Sequence, residues 1–119
     1  MKLLKYLEIT TDKPKNVCLK LIKDKHIKVN GIIITKEKTV IKEQNDEILL
    51  DDELLIYEEY IYLMMNKRSG LVCATNDNFQ KTVFEDIKEF KNRELRLVGR
   101  LDKDTEGLLL ITDDGNFIH

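Results

Sequence analysis

Leu3, Leu4 and Leu7 recur at helical spacing, so MKLLKYLEI predicts a short helix at the start of the chain. Asp12 followed by Pro14 marks the start of a second helix, since Asp caps free N–H groups and Pro is tolerated in a first turn. Val17, Cys18, Leu21 and Ile22 give it one apolar stripe, with Lys15, Lys20 and Lys23 in other directions. The rhythm then changes. IKVNGIII places Asn30-Gly31 between β-branched runs, a strong signal for a two-residue hairpin, and TVIKEQNDEILL predicts further short strands. The first module is thus a pair of helices on a small sheet.

The acidic stretch NDEILLDDELLIYEEY reads as a seam, which divides the chain into modules 1–58 and 59–119. IYLMMNKRSGLVCATND then reads as strand, turn, strand, with Ser69-Gly70 at the turn. Ile61, Leu63 and Met65 share one face and Tyr62 and Met64 the other; both are apolar, which predicts a central strand. Val83, Ile87 and Phe90 at helical spacing predict a short covering helix over TVFEDIKEFK. LRLVG reads as a strand ending at Gly99, LLLIT as another. DDGNFIH reads as the first turn of a helix capped by Asp113 or Asp114. The fold class is α+β.

Composition changes this picture little. At 42% hydrophobic and 35% charged, with one Pro, the chain suits a globular protein and not a disordered one. Its apolar runs are too short to span a bilayer, and Lys5 and Glu8 interrupt any signal-peptide core. A cytoplasmic protein with no membrane partner is expected. Cys18 and Cys73 lie in unrelated contexts, which predicts two buried thiols and neither a disulfide nor a zinc site.

Charge changes it more. Residues 1–44 carry eleven Lys against five acids, a net of +6, whereas residues 45–94 carry a net of −6. A basic head on an acidic body points to the head as the module that meets a polyanion. The head resembles the S-four-like RNA-binding domain, through Leu3, Lys5 and the helix leading into LIKDKHIKVNG. Pro14-Lys15 stands where that family has a Ser-Arg pair, which keeps the cation but loses the planar fork. Phosphate contacts by Lys5, Lys15, Lys23 and Lys28 are the expectation, and such contacts position RNA without reading its sequence.

The candidate chemistry lies in GRLDKDTEGLLLITDDG, residues 99–115. Asp102, Asp104, Glu106, Gly107 and Asp113 match positions 1, 3, 5, 6 and 12 of a calcium-binding EF-hand loop. The flanking runs read as strands, however, and Asp113 is short for a two-oxygen grip. A charged turn accounts for Asp104, Thr105 and Gly107. It accounts less well for Arg100 and Asp102, which alternation puts on one side. There a guanidinium would hold a carboxylate ionised at a strand end, as a nucleophile or base is mounted.

This stretch resembles the signature of the RsuA-type pseudouridine synthases, and the likeness extends upstream through YLMMNKRSGLVCATND into the head. The resemblance implies isomerisation of a specific uridine in ribosomal RNA, of the 16S class, without a cofactor. Ribosomal RNA or a pre-ribosomal particle would be the partner. It makes Asp102 the catalytic aspartate, as nucleophile or base. Arg100 would hold Asp102 and help displace the target base, while Gly99, Thr105 and Gly107 would shape the loop. Lys67 and Arg68, the latter where the family has Pro, are expected beside RNA phosphates.

By the same resemblance the fold is an S-four-like head over 1–58, followed over 59–119 by the first part of a mixed, largely antiparallel catalytic domain. Family members are longer, and their later half adds an aromatic that stacks on uracil and a basic residue near the aspartate. His119 fits the family pattern. An N-terminal part of a synthase is therefore expected, with little or no activity alone and with free strands open to self-association. The rival reading is a non-catalytic RNA-binding module.

Overall fold

The computed structural model describes residues 1–118 and divides into two compact units, Met1–Tyr57 and Glu58–His119. In the first, helix α1 spans Leu3–Thr11 and buries Leu3, Tyr6 and Leu7, which the i, i+3, i+4 spacing stacks on one face. Thr10 and Thr11 turn their hydroxyls back to the carbonyls of Tyr6 and Leu7, four residues earlier, which draws the helix to its end. Asp12 then closes it in the left-handed conformation, φ +57°. Asp12 thus ends α1 and does not open the next helix. Helix α2, Lys15–Lys23, starts after Pro14 with no side-chain cap, and Lys20 and Lys23 in its last turn suit its dipole.

A four-stranded antiparallel sheet completes this unit, in the order β2-β1-β3-β4. Its strands are β1 Ile27–Val29, β2 Ile32–Ile33, β3 Ile48–Leu50 and β4 Glu53–Leu54. Asn30 and Gly31 both take positive φ, as the two-residue hairpin between β1 and β2 requires. Asp51 and Asp52 do the same between β3 and β4. The acidic stretch read as a seam is therefore partly sheet, with Ile48 fully buried in the core beside Leu3, Leu7, Cys18, Ile22 and Ile27.

The second unit holds a three-stranded antiparallel sheet, β5 Tyr62–Lys67, β6 Arg96–Val98 and β7 Gly107–Thr112, in the order β5-β7-β6. The expected central strand, β5, lies at the edge; the centre is β7. The apolar residues on both faces of β5 do not mark a covered strand. Leu63 and Met65 face inward, whereas Tyr62 and Met64 lie exposed beside Leu108. A small core forms from Leu71, Val83 and Leu109, with Leu97 and Phe84 against it.

The expected helix over TVFEDIKEFK shrinks to a 3-10 turn, Val83–Asp86. Thr82 opens that turn by accepting the Phe84 N–H, and Ile87 leaves it in an extended conformation. Phe90 takes positive φ, so no helical face can gather Val83, Ile87 and Phe90. Val83 enters the core, while Ile87 and Phe90 line a surface hollow of about 460 Å³. Helix α3, Gly115–Ile118, is capped by Asp114, which accepts the N–H groups of Asn116 and Phe117. His119 lies outside the described residues, among which no helix is long and apolar enough to cross a membrane.

Candidate active site

Strand β6 stops at Val98 because Gly99 takes φ +83°, a conformation that Gly adopts without the Cβ penalty. The chain returns as β7 at Gly107, which has φ +156° and faces a methyl of Leu101. Asp102 sits in the seven-residue excursion between them. Four groups fix that excursion through its backbone. The Leu101 N–H donates to Cys73 Sγ at 3.2 Å, and the Thr105 N–H closes a turn onto the Asp102 carbonyl at 3.0 Å. The Gly70 N–H donates to the Lys103 carbonyl at 2.9 Å. Lys67 supplies the rest.

Lys67 is only 1% exposed. Its ammonium donates to the carbonyls of Lys103 and Thr105, each at 2.8 Å, and of Arg68 at 3.1 Å. Three donors meet three acceptors, which is how a buried ammonium is held without a counter-charge. Lys67 is thus an internal brace for the Asp102 loop and is not available to a phosphate. The signal was in the alternation of β5: Leu63, Met65 and Lys67 share the inward face.

Arg68 forms a forked pair with Asp86, Nε at 2.8 Å and Nη2 at 3.1 Å, and this holds the Asp86 carboxyl below its usual range. Asp102 itself is exposed, as are Arg100 and Thr105. Among the described residues no hydrogen bond or ion pair joins Arg100 to Asp102. Alternation fails here because the left-handed Gly99 ends the strand before Arg100. Arg100 instead lines a hollow of about 280 Å³ with Cys73, Ala74, Thr75, Arg96 and Leu97. Cys73 is therefore half-buried at the site and not a core thiol, whereas Cys18 is buried as expected; both are free.

A second brace went unread in the sequence. The Arg93 guanidinium, 8% exposed, pairs with Asp113 at 2.7 Å and also donates to the carbonyls of Glu58 and Glu59. The other carboxylate oxygen of Asp113 accepts the Ile61 N–H at 2.9 Å, so one carboxylate ties the start of β5 to the end of β7. In the first unit Lys5, Lys15 and Lys23 are exposed, and Lys28 reaches Asp52 at 3.2 Å.

The unit defined by these elements is an antiparallel α+β body that presents Asp102, with Asp104 two residues on, on a backbone-fixed loop between two strands. Residues 61–119 match the family model described as RNA pseudouridylate synthase, and the chain belongs to that family. It is 38% identical over 120 residues to the ribosomal small subunit pseudouridine synthase A of Haemophilus influenzae, covering all of this chain and 51% of that protein. It is 39% identical over 99 residues to the ribosomal large subunit pseudouridine synthase B of Bacillus subtilis, covering 82% of this chain and 39% of that one. A crystal structure of a pseudouridylate synthase aligns at 35% identity and a TM-score of 0.46, over all of this chain and 51% of that one. The chain spans about half the length, or less, of the curated relatives it matches.

Proposed function

We propose that this chain contributes to the isomerisation of a uridine to pseudouridine in ribosomal RNA, with Asp102 as the catalytic carboxylate. The observation that supports this reading is the contrast at residues 100–106: the backbone is fixed by Lys67, Gly70 and Cys73, yet the Asp102 carboxylate is free and exposed. Rigid placement with an unengaged reactive group is what an attacking or proton-accepting carboxylate needs. The uracil must leave ribose carbon 1, turn, and rejoin through its carbon 5. To do so it first leaves its stack, at a cost of a few kcal/mol. In this reading Arg100, exposed on the same loop, helps to displace the target base. Lys5, Lys15 and Lys23 provide the cations of a head that holds RNA by its phosphates.

A detached sugar must be kept from water, and an exposed Asp102 does not do that alone. The 119 residues are therefore expected to bind ribosomal RNA and to turn it over slowly. The relatives include small-subunit and large-subunit enzymes; three of the small-subunit ones align over all of this chain, against 82% for the large-subunit one, and this supports 16S RNA as the substrate. The open face of Tyr62, Met64 and Leu108 also offers the isolated chain a route to self-association, which a concentration-independent monomer mass would exclude.

The test is release of tritium from carbon 5 of uracil in transcribed 16S RNA, by the wild-type chain and by Asp102→Asn. Release that vanishes in the variant supports the assignment; equal release from both overturns it. If RNA binds but neither chain releases tritium, even when supplied with the uncovered half of a curated relative, the reading as a binding module prevails.

A further inference from the structure

Residues 73–81 make an excursion with a closed base and a fixed tip. At the base, Val72 bridges Thr82, with the Val72 N–H on the Lys81 carbonyl and the Val83 N–H on the Val72 carbonyl, each at 3.0 Å. Leu71 and Val83, on either side, are both in the core. At the tip, one oxygen of Asp77 accepts the N–H groups of Phe79 and Gln80, each at 2.8 Å. Those two bonds hold its carboxyl below the usual range, helped by the nearby Lys103 ammonium. Phe79 is 97% exposed on this braced turn.

An exposed phenyl on a loose loop would fold down over apolar neighbours. The Asp77 bonds fix the backbone at Phe79 and Gln80, and from that backbone the ring projects into solvent. The surroundings indicate what it meets. Asn76, Asp77, Asn78, Gln80 and Lys81 are polar, so a protein partner would find no apolar core around the ring. A single nucleobase needs only a ring face, with cations near its phosphate. Lys81 lies two residues on from Phe79 in sequence, and Lys88 and Lys91 line a hollow of about 440 Å³ with Asp77, Gln80 and Glu85. The loop also touches the reaction loop at its base, through Cys73 Sγ and the Leu101 N–H.

We propose that Phe79 is a stacking platform for an unpaired RNA base that flanks, and is distinct from, the base served by Asp102. This rests on the RNA reading above and adds a contact that sets which sequence context can dock. Phe79 stacks without contacting phosphate, so it contributes affinity for single strands and nothing to salt dependence.

The probe is a single-stranded oligouridylate of about ten nucleotides, with a duplex of equal length as control. Phe79→Ala should melt like wild type and bind the single strand about tenfold more weakly or worse, at an unchanged salt slope. Phe79→Tyr should restore affinity. The chain contains no Trp, so Phe79→Trp carries the single indole, and its fluorescence should be quenched by the single strand and not by the duplex. Equal affinity of Phe79→Ala and wild type, or an unquenched indole, overturns the proposal. An indole that shifts with protein concentration in the absence of RNA overturns it in favour of a second copy. Failure of the wild-type chain to show any salt-dependent RNA binding is a separate result, which removes the RNA reading and the stacking role with it.

Discussion

The ammonium of Lys67 and the carbonyl of Thr105 lie 2.8 Å apart across 38 residues of sequence. Through that bond, and its companion to Lys103, the last residue of β5 determines the path of the loop that carries Asp102. Lys67→Met keeps the bulk of the side chain and leaves three carbonyls without their donor. A loss of roughly 2–4 kcal/mol is expected on denaturant unfolding of the second unit. Any tritium release should fall with it, while RNA affinity, proposed above to rest on the exposed lysines of the head and on Phe79, should hold. Weaker RNA binding together with unchanged stability in Lys67→Met would show that the ammonium is not internal.

Arg93 and Asp113 form the other brace. Both are nearly buried, so removing one partner strands the other: Arg93→Ala or Asp113→Ala should each cost roughly 2–4 kcal/mol. Arg93→Lys should not rescue, because a single ammonium cannot also reach the carbonyls of Glu58 and Glu59. A double-mutant cycle on the pair measures the coupling, and a value near zero would refute the brace.

Tyr62 donates to Asp114, which pushes the phenol up to about 12 and holds the Asp114 carboxyl below its ordinary value. The raised phenol stabilises the fold while protonated; that contribution is complete below pH 10 and is lost as pH rises through about 12. The lowered carboxyl contributes above its ordinary value of 3.8 and loses its contribution as pH falls below that. Phenolate absorbance should therefore show one of the four tyrosines titrating late through this bond, and Asp114→Asn should bring it back towards 10.

The two thiols should differ in reactivity. Cys18 is fully buried and burial pushes its thiol up, whereas Cys73 is half-exposed beside Arg100. Iodoacetamide should modify Cys73 first, and the adduct should displace Leu101 and suppress any turnover. Cys73→Ser, which keeps an acceptor for the Leu101 N–H, should retain more activity than Cys73→Ala. Equal labelling of both thiols would argue that the first unit opens readily.

Much of this architecture was legible because it depends on local rules. The two helices follow apolar spacing, Asn30-Gly31 has a single economical hairpin, and GRLDKDTEGL carries its resemblance in consecutive residues. What escaped was decided across distance. Nothing near Lys67 in sequence shows that its partners are the carbonyls of residues 103 and 105. The edge position of β5 depends on how many strands flank β7, which the apolar pattern of β5 does not record. Helical spacing over Val83, Ile87 and Phe90 lost to the Thr82 cap and the left-handed Phe90. The Arg100–Asp102 pairing assumed a strand that Gly99 ends too soon.

The Val72–Thr82 bridge closes residues 73–81 at the base, where Leu71 and Val83 are anchored, so the core does not register what the tip contains. Lengthening such a closed loop is thermodynamically cheap, about 0.6 kcal/mol for each doubling. Evolution can therefore rewrite the tip, in length or in the identity of residue 79, while Lys67 and Cys73 keep the reaction loop in place. Chains sharing one chemistry can in this way diverge in the RNA neighbourhood they accept.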